Sequence, residues 1–182
     1  RETVADPRTA DALCPRDYPL GAKRLCIGTD YYETYNRDNV DLVDLRSTPI
    51  EEIVPGGVRT AAGVHELDAI VFGCGSSGTM TGLSRCFAQH SPKTELILAD
   101  PVGSILEEYI NRGTLSDKSA SWMVEGIGED FLPPISDFTR VKKAYAIADK
   151  ESFLTARELL AKEGILGGSS TGTLLAAALR YC

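Results

Sequence analysis

Two rhythms of apolar positions divide this chain. From Val40 to Phe72, Val, Leu and Ile alternate with polar residues through "VDLVDL" and "IEEIVPGGVRTAAGVHELDAIVFG". Period-two runs broken by Pro-Gly-Gly and Ala-Gly predict turn-linked strands. The first runs through "VDLVDL" and "IEEIV", a second follows Pro-Gly-Gly, and a third is "AIVF", whose unbroken apolar character fits burial on both faces. After Thr81 the rhythm lengthens. The pattern predicts a helix over "TGLSRCFAQHS", a strand at "TELILAD", a long polar stretch from Pro101 to Pro134, a strand at "KKAYAIAD", a helix over "KESFLTARELLAKEG" and a last helix after "ILGGSSTG". Strands separated by such helices imply right-handed βαβ crossovers. The expected fold is therefore a single α/β domain over 1–182. Its sheet is three-layer, mainly parallel and Rossmann-like, with added antiparallel strands from the N-terminal segment. Before Val40, "RETVADPRTADAL" reads as a short helix ending near Leu13. "CPRDYPLG" cannot continue it, and "KRLCIGTDYYETYNRDN" reads as an irregular surface segment.

Composition narrows the function classes. A formal charge of -7 argues against nucleic acid or an anionic membrane as the main partner, since both call for a basic face. A small-molecule ligand is the expectation. Five widely spaced cysteines (Cys14, Cys26, Cys74, Cys86 and Cys182) contain no C-x-x-C pair, so neither a zinc site nor a disulfide framework is indicated, and a reducing, cytoplasmic setting is expected. No run approaches a membrane span and the N-terminus is polar. The chain starts at Arg1 and stops inside the helical run "GTLLAAALRYC", which reads as a piece of something longer. His65 and His90, the two histidines, stand far apart and read as surface or capping residues rather than metal ligands.

The stretch "VFGCGSSGTMTG", Val71 to Gly82, carries the chemistry. A strand feeding a glycine-rich turn that opens a helix gathers backbone N–H groups at the positive end of the helix dipole, where phosphate binds. Packing alone would also explain such a turn. The turn resembles the G-x-G-x-G-G-T-x-x-G phosphate loop of fold-type II pyridoxal-phosphate enzymes, the cysteine synthase and cystathionine β-synthase family, with serine at 77 in place of glycine. "ADPVGSI", "VEGIGEDFLPP" and "EGILGGSSTGT" match the same family in the same order. The resemblance implies that Gly75, Ser76, Ser77, Gly78 and Thr79 wrap the cofactor phosphate. It also places Ser170 at the pyridine nitrogen and Gly126 and Gly128 beside the ring. A neutral hydroxyl at that nitrogen favours β-elimination and β-replacement. The family's Schiff-base lysine, in an S-x-K-x-R type motif, has no match, and neither does its substrate-carboxylate loop. Lys118, in "SDKSAS", falls in a polar loop. A partial lobe, inactive alone, is the expectation. Cys74 lies where a helix N-terminus can lower a thiol pKa, but the resemblance makes it a packing residue.

Residues 1–70 resemble a different family, the flavin-dependent Baeyer–Villiger monooxygenases, along nearly their whole length. That resemblance implies that Lys23 and Arg24 contact NADPH: Lys23 as a point charge on the 2′-phosphate, Arg24 as a planar cation near the flavin. A solvated basic pair is the plainer reading. The family's G-x-G-x-x-G fingerprints for FAD and NADPH have no match within residues 1–70. The change near residue 70, between segments 1–70 and 71–182, reads as a chimera. Three functions stay open: a pyridoxal-phosphate lobe, an NADPH-binding fragment, and a chimeric scaffold without activity.

Overall fold

In a computed structural model, residues 3–14, 16, 31–38, 40–115 and 119–182 are described. Helix α1 (Pro7–Ala12) begins where Asp6 accepts a hydrogen bond from Thr9 N–H at 2.8 Å and proline fills the first turn. Helix α2 covers Tyr31–Thr34. The "VDLVDL" run is not a strand: residues 40–44 have no ladder partner, and Asp44 organises a turn by accepting from Arg46 N–H through its carboxylate and from Thr48 N–H through its carbonyl. Alternation is a necessary signal for a strand, but a strand also needs a neighbour.

Strands β1 (Ile50–Val54), β2 (Gly57–Thr60) and β3 (Gly63–Glu66) form an antiparallel meander. The sequence pattern merged β3 into the connection before "AIVF"; the chain instead breaks at Leu67–Asp68 and starts a second sheet. That sheet is wholly parallel, in the order β4 (Ala69–Gly73), β5 (Glu95–Pro101), β6 (Val141–Ile147). The added antiparallel strands thus stand beside the parallel sheet rather than extending it.

Helix α3 (Gly78–His90) connects β4 to β5. Helix α4 (Leu106–Arg112) lies in the stretch that the sequence read as long and polar; it ends at Gly113 in the left-handed region. Helices α5 (Asp149–Glu163) and α6 (Ser169–Tyr181) follow β6. One sheet face, through Phe72, Leu96, Leu98 and Ala144, packs on Met80 of α3 and Leu106 of α4; the other, through Val71, Ala99 and Ile147, packs on Ala176 and Ala177 of α6. Period-two burial on both faces explains the unbroken apolar strands. Buried hydroxyls join the two sheets. Ser91 Oγ accepts from Gly56 N–H at 2.7 Å and lies 2.8 Å from Thr94 Oγ1, which donates to the Leu67 carbonyl. Among the described residues, no helix is long and apolar enough to cross a membrane.

Candidate functional site: a glycine-rich loop at the carboxyl edge of the parallel sheet

The loop 74–77 leaves the carboxyl end of β4 and enters α3 through Ser77, whose φ of +66° is left-handed. No side chain caps α3. Its first-turn N–H groups have no acceptor within the helix and point toward the loop concavity. Ser76, Gly78 and Thr79 are exposed; Ser77 is buried, and its Oγ has no hydrogen-bond partner.

A strap of residues 122–129 lies against this loop. Gly128 N–H donates to the Cys74 carbonyl at 2.8 Å. A Cβ built on Gly75 would stand 2.7 Å from the Gly126 carbonyl oxygen, so only glycine allows this approach. Gly128, with φ +87°, fits between Pro101 and Trp122, where a Cβ would fall 2.4 Å from Pro101 Cγ. Trp122 Nε1 donates to the Ile127 carbonyl at 3.0 Å. Farther along, Glu125 N–H donates to Ser169 Oγ at 3.3 Å and Met123 N–H to Asp149 Oδ1 at 3.0 Å. The strap thereby runs from the glycine loop to the first turns of α5 and α6. It sets Gly126 against Gly75 and Gly128 against Cys74, and it reaches Ser169, next to Ser170, in the first turn of α6. Lys23, Arg24 and Lys118 lie outside the described residues.

Beneath the loop, acidic groups are crowded. Asp100, fully buried at the end of β5, accepts from Glu107 N–H at 2.9 Å through Oδ2, while Oδ1 has no partner. Burial pushes its pKa up to about 6, with Glu107 and Glu129 adding in the same direction. Burial, then the charges of Asp100 and Glu129, push the Cys74 thiol up to about 12. Cys74 is thus an inert packing residue, as the family resemblance implies. Desolvation, then Asp130, also raise Glu129. Asp100 and Glu129 escape a motif search because only the approach of β5 and the strap to the loop makes them neighbours. The signal available in the sequence was their place inside the matched "ADPVGSI" and "EGIGED" segments.

Ser77 supplies a direct stability test. A non-glycine left-handed residue costs about 1 kcal/mol, and an unsatisfied buried hydroxyl costs about 1–3 kcal/mol. Glycine gives back up to ~1 kcal/mol through the freer unfolded chain. Ser77→Gly is expected to stabilise the ligand-free protein by about 1–2 kcal/mol in urea unfolding; an unchanged or lower midpoint would show that the hydroxyl is satisfied.

Together the fold and site define an α/β domain that presents a glycine-rich loop and an uncapped helix N-terminus at the carboxyl edge of a parallel sheet, where such sheets take anionic ligands. The profile described as pyridoxal-phosphate dependent enzyme matches residues 13–182. The chain belongs to that family. Cystathionine β-synthase of Saccharomyces cerevisiae is 39% identical over 118 residues, covering 64% of this chain and 22% of the relative. The crystal structure of the O-acetylserine dependent cystathionine β-synthase from Helicobacter pylori superposes with a TM-score of 0.55 at 36% identity, covering 63% of this chain and 35% of that one. The second resemblance is present too. A 2-oxo-Δ3-4,5,5-trimethylcyclopentenylacetyl-CoA monooxygenase of Pseudomonas putida is 44% identical over 97 residues, covering 53% of this chain and 18% of the relative. The chain therefore spans about a fifth of the curated relatives it matches. The family profile begins at residue 13, well ahead of the change of pattern near residue 70.

Proposed function

We propose that this chain is the pyridoxal-phosphate-binding lobe of a β-replacement enzyme of the cystathionine β-synthase or cysteine synthase type. The carrying observation is the contact between Gly75 and the Gly126 carbonyl, which shapes a tight glycine cradle in front of the uncapped α3 N-terminus. Such a cradle fits a phosphate: it has free backbone donors, the positive end of a 13-residue helix, and the exposed hydroxyls of Ser76 and Thr79. Gly75, Ser76, Ser77, Gly78 and Thr79 would hold the phosphate, Gly126 and Gly128 would lie beside the ring, and Ser170 would hydrogen-bond its nitrogen. The bound group supplies an electron sink for chemistry at the β-carbon of an amino acid. The protein's own part is to orient that group, and the neutral Ser170 hydroxyl leaves the ring nitrogen without a charged partner. Residues 1–182 contain no lysine in the family's motif form, so these residues by themselves would bind the group without turning over, and turnover would call for an amine from outside them.

Thermal unfolding with and without pyridoxal phosphate tests this, with NADPH as the control for the monooxygenase-like segment and its Lys23 and Arg24. Ligand at about a hundred times its Kd adds ~2.7 kcal/mol, a rise of roughly 5–10 °C for a chain of this size. A Cβ on Gly78 meets nothing within 4 Å, so Gly78→Asp folds without a clash, and an acidic residue in the first turn suits the helix. That variant is expected to keep or raise the ligand-free midpoint and to lose the pyridoxal-phosphate shift. A rise with NADPH alone would favour the monooxygenase fragment, and no rise with either would leave the chimeric scaffold.

A further inference from the structure

Glu129 reaches the glycine cradle from the strap. Its backbone is pinned on both sides: its N–H donates to Ser104 Oγ at 3.0 Å, and its carbonyl accepts from Ser104 Oγ and Ile105 N–H, each at 3.0 Å. The side chain therefore leaves from a fixed point, and its Oε1 stands 3.9 Å from the position of a Cβ on Gly75. Among the described residues it forms no ion pair. The groups that face it are acidic or neutral: Asp130 on its own segment, Asp100 from the end of β5, and the Cys74 thiol from the end of β4. A carboxylate this close to the glycine loop opposes any second anion that enters it.

We propose that Glu129 sets the anion selectivity of the loop: its carboxylate competes with an incoming phosphate for the positive end of α3, so that dianions are held weakly until the carboxylate is neutralised. This rests on the phosphate-cradle reading and adds to it an antagonist within the same site. The direction of linkage follows. Anion binding favours the protonated form of Glu129, and protonation favours anion binding, so affinity rises as pH falls through the carboxylate's raised range. Phosphate esters titrate near pH 6 themselves, which would blur the effect. Sulfate does not titrate there and isolates the contribution of the protein.

The test is a titration of the full chain with sulfate and with pyridoxal phosphate, read by the amide chemical shifts of residues 75–79, for the wild type and Glu129→Gln. Glutamine keeps the shape and removes the charge, and unchanged amide positions away from the loop verify the fold. At pH 7.5, Glu129→Gln is expected to bind both anions roughly five- to tenfold more tightly, as expected for one nearby like charge. For sulfate the gap should narrow as pH falls through the raised range of Glu129, because only the wild type loses that charge, while the neutralisation of Asp100 helps both proteins alike. Equal affinities across the pH range in two proteins that both bind would overturn the role of Glu129 and leave the cradle standing. Failure of both proteins to shift residues 75–79 with either anion would overturn the cradle itself, and the proposal with it.

Discussion

Gly172→Ala is expected to destabilise the protein by about 3 kcal/mol, near the upper end of overpacking costs, although alanine is the better helix former by about 1 kcal/mol. Packing reverses the sign. Helices α5 and α6 cross where Gly172 meets Ser152, and a Cβ on Gly172 would lie 1.9 Å from the Ser152 carbonyl oxygen and 2.9 Å from Ala156 N. Both atoms are backbone, so the helices have to separate rather than a side chain turn aside. Separation would also stretch the buried hydrogen bond from Thr173 Oγ1 to Ser152 Oγ, 2.8 Å long, and strand the Ser152 hydroxyl, while Thr173 Oγ1 keeps its 3.2 Å bond to the Ser169 carbonyl in its own helix. For a chain of this length the loss corresponds to a fall in Tm of roughly 10 °C. Gly82→Ala in α3 is the control: its Cβ meets nothing within 4 Å, so a small gain is expected there. If calorimetry finds Gly172→Ala as stable as the wild type, the α5–α6 crossing is looser than described.

The second large effect is a pH dependence centred on Asp100. Its folded pKa is raised from 3.8 to about 6, chiefly by burial. Between those values the folded state holds a proton that the unfolded chain has released, so stability falls as pH rises through the window. A shift of this size corresponds to about 3 kcal/mol, present below pH ~4 and lost above pH ~6. Asp6, Asp44, Glu95 and Asp137, exposed or half-buried, are shifted the other way by hydrogen bonds, so the wild-type curve alone mixes opposite slopes. The difference between wild type and Asp100→Asn isolates the group, because asparagine still accepts from Glu107 N–H. The variant is expected to gain on the wild type by about 2–3 kcal/mol between pH 4 and pH 7 in denaturant unfolding. Parallel curves over that range would mean that Asp100 is hydrated and that its unpartnered Oδ1 is satisfied by water.

The βαβ winding, the doubly buried strands and the glycine loop were legible in the sequence because each rests on local rules: period-two apolar runs, the lengths of the connections, and turn residues in a fixed order. Residues 75–79 read as a candidate anion cradle for the same reason. Helix α4 was not legible, since seven residues amid a polar stretch carry too short a period and depend on Leu106 packing beneath the sheet. "VDLVDL" alternates like a strand yet stays irregular for lack of a neighbour. Asp100 and Glu129 lie 23 and 52 residues beyond Ser77 in sequence, so no spacing reveals that these two carboxyl groups converge on the loop. Local propensity determined the elements and the motif. Tertiary contact alone decided which strands share a sheet, why Gly75 and Gly172 admit no side chain, and which carboxylates face the cradle, because close approach and desolvation arise only when distant segments pack together.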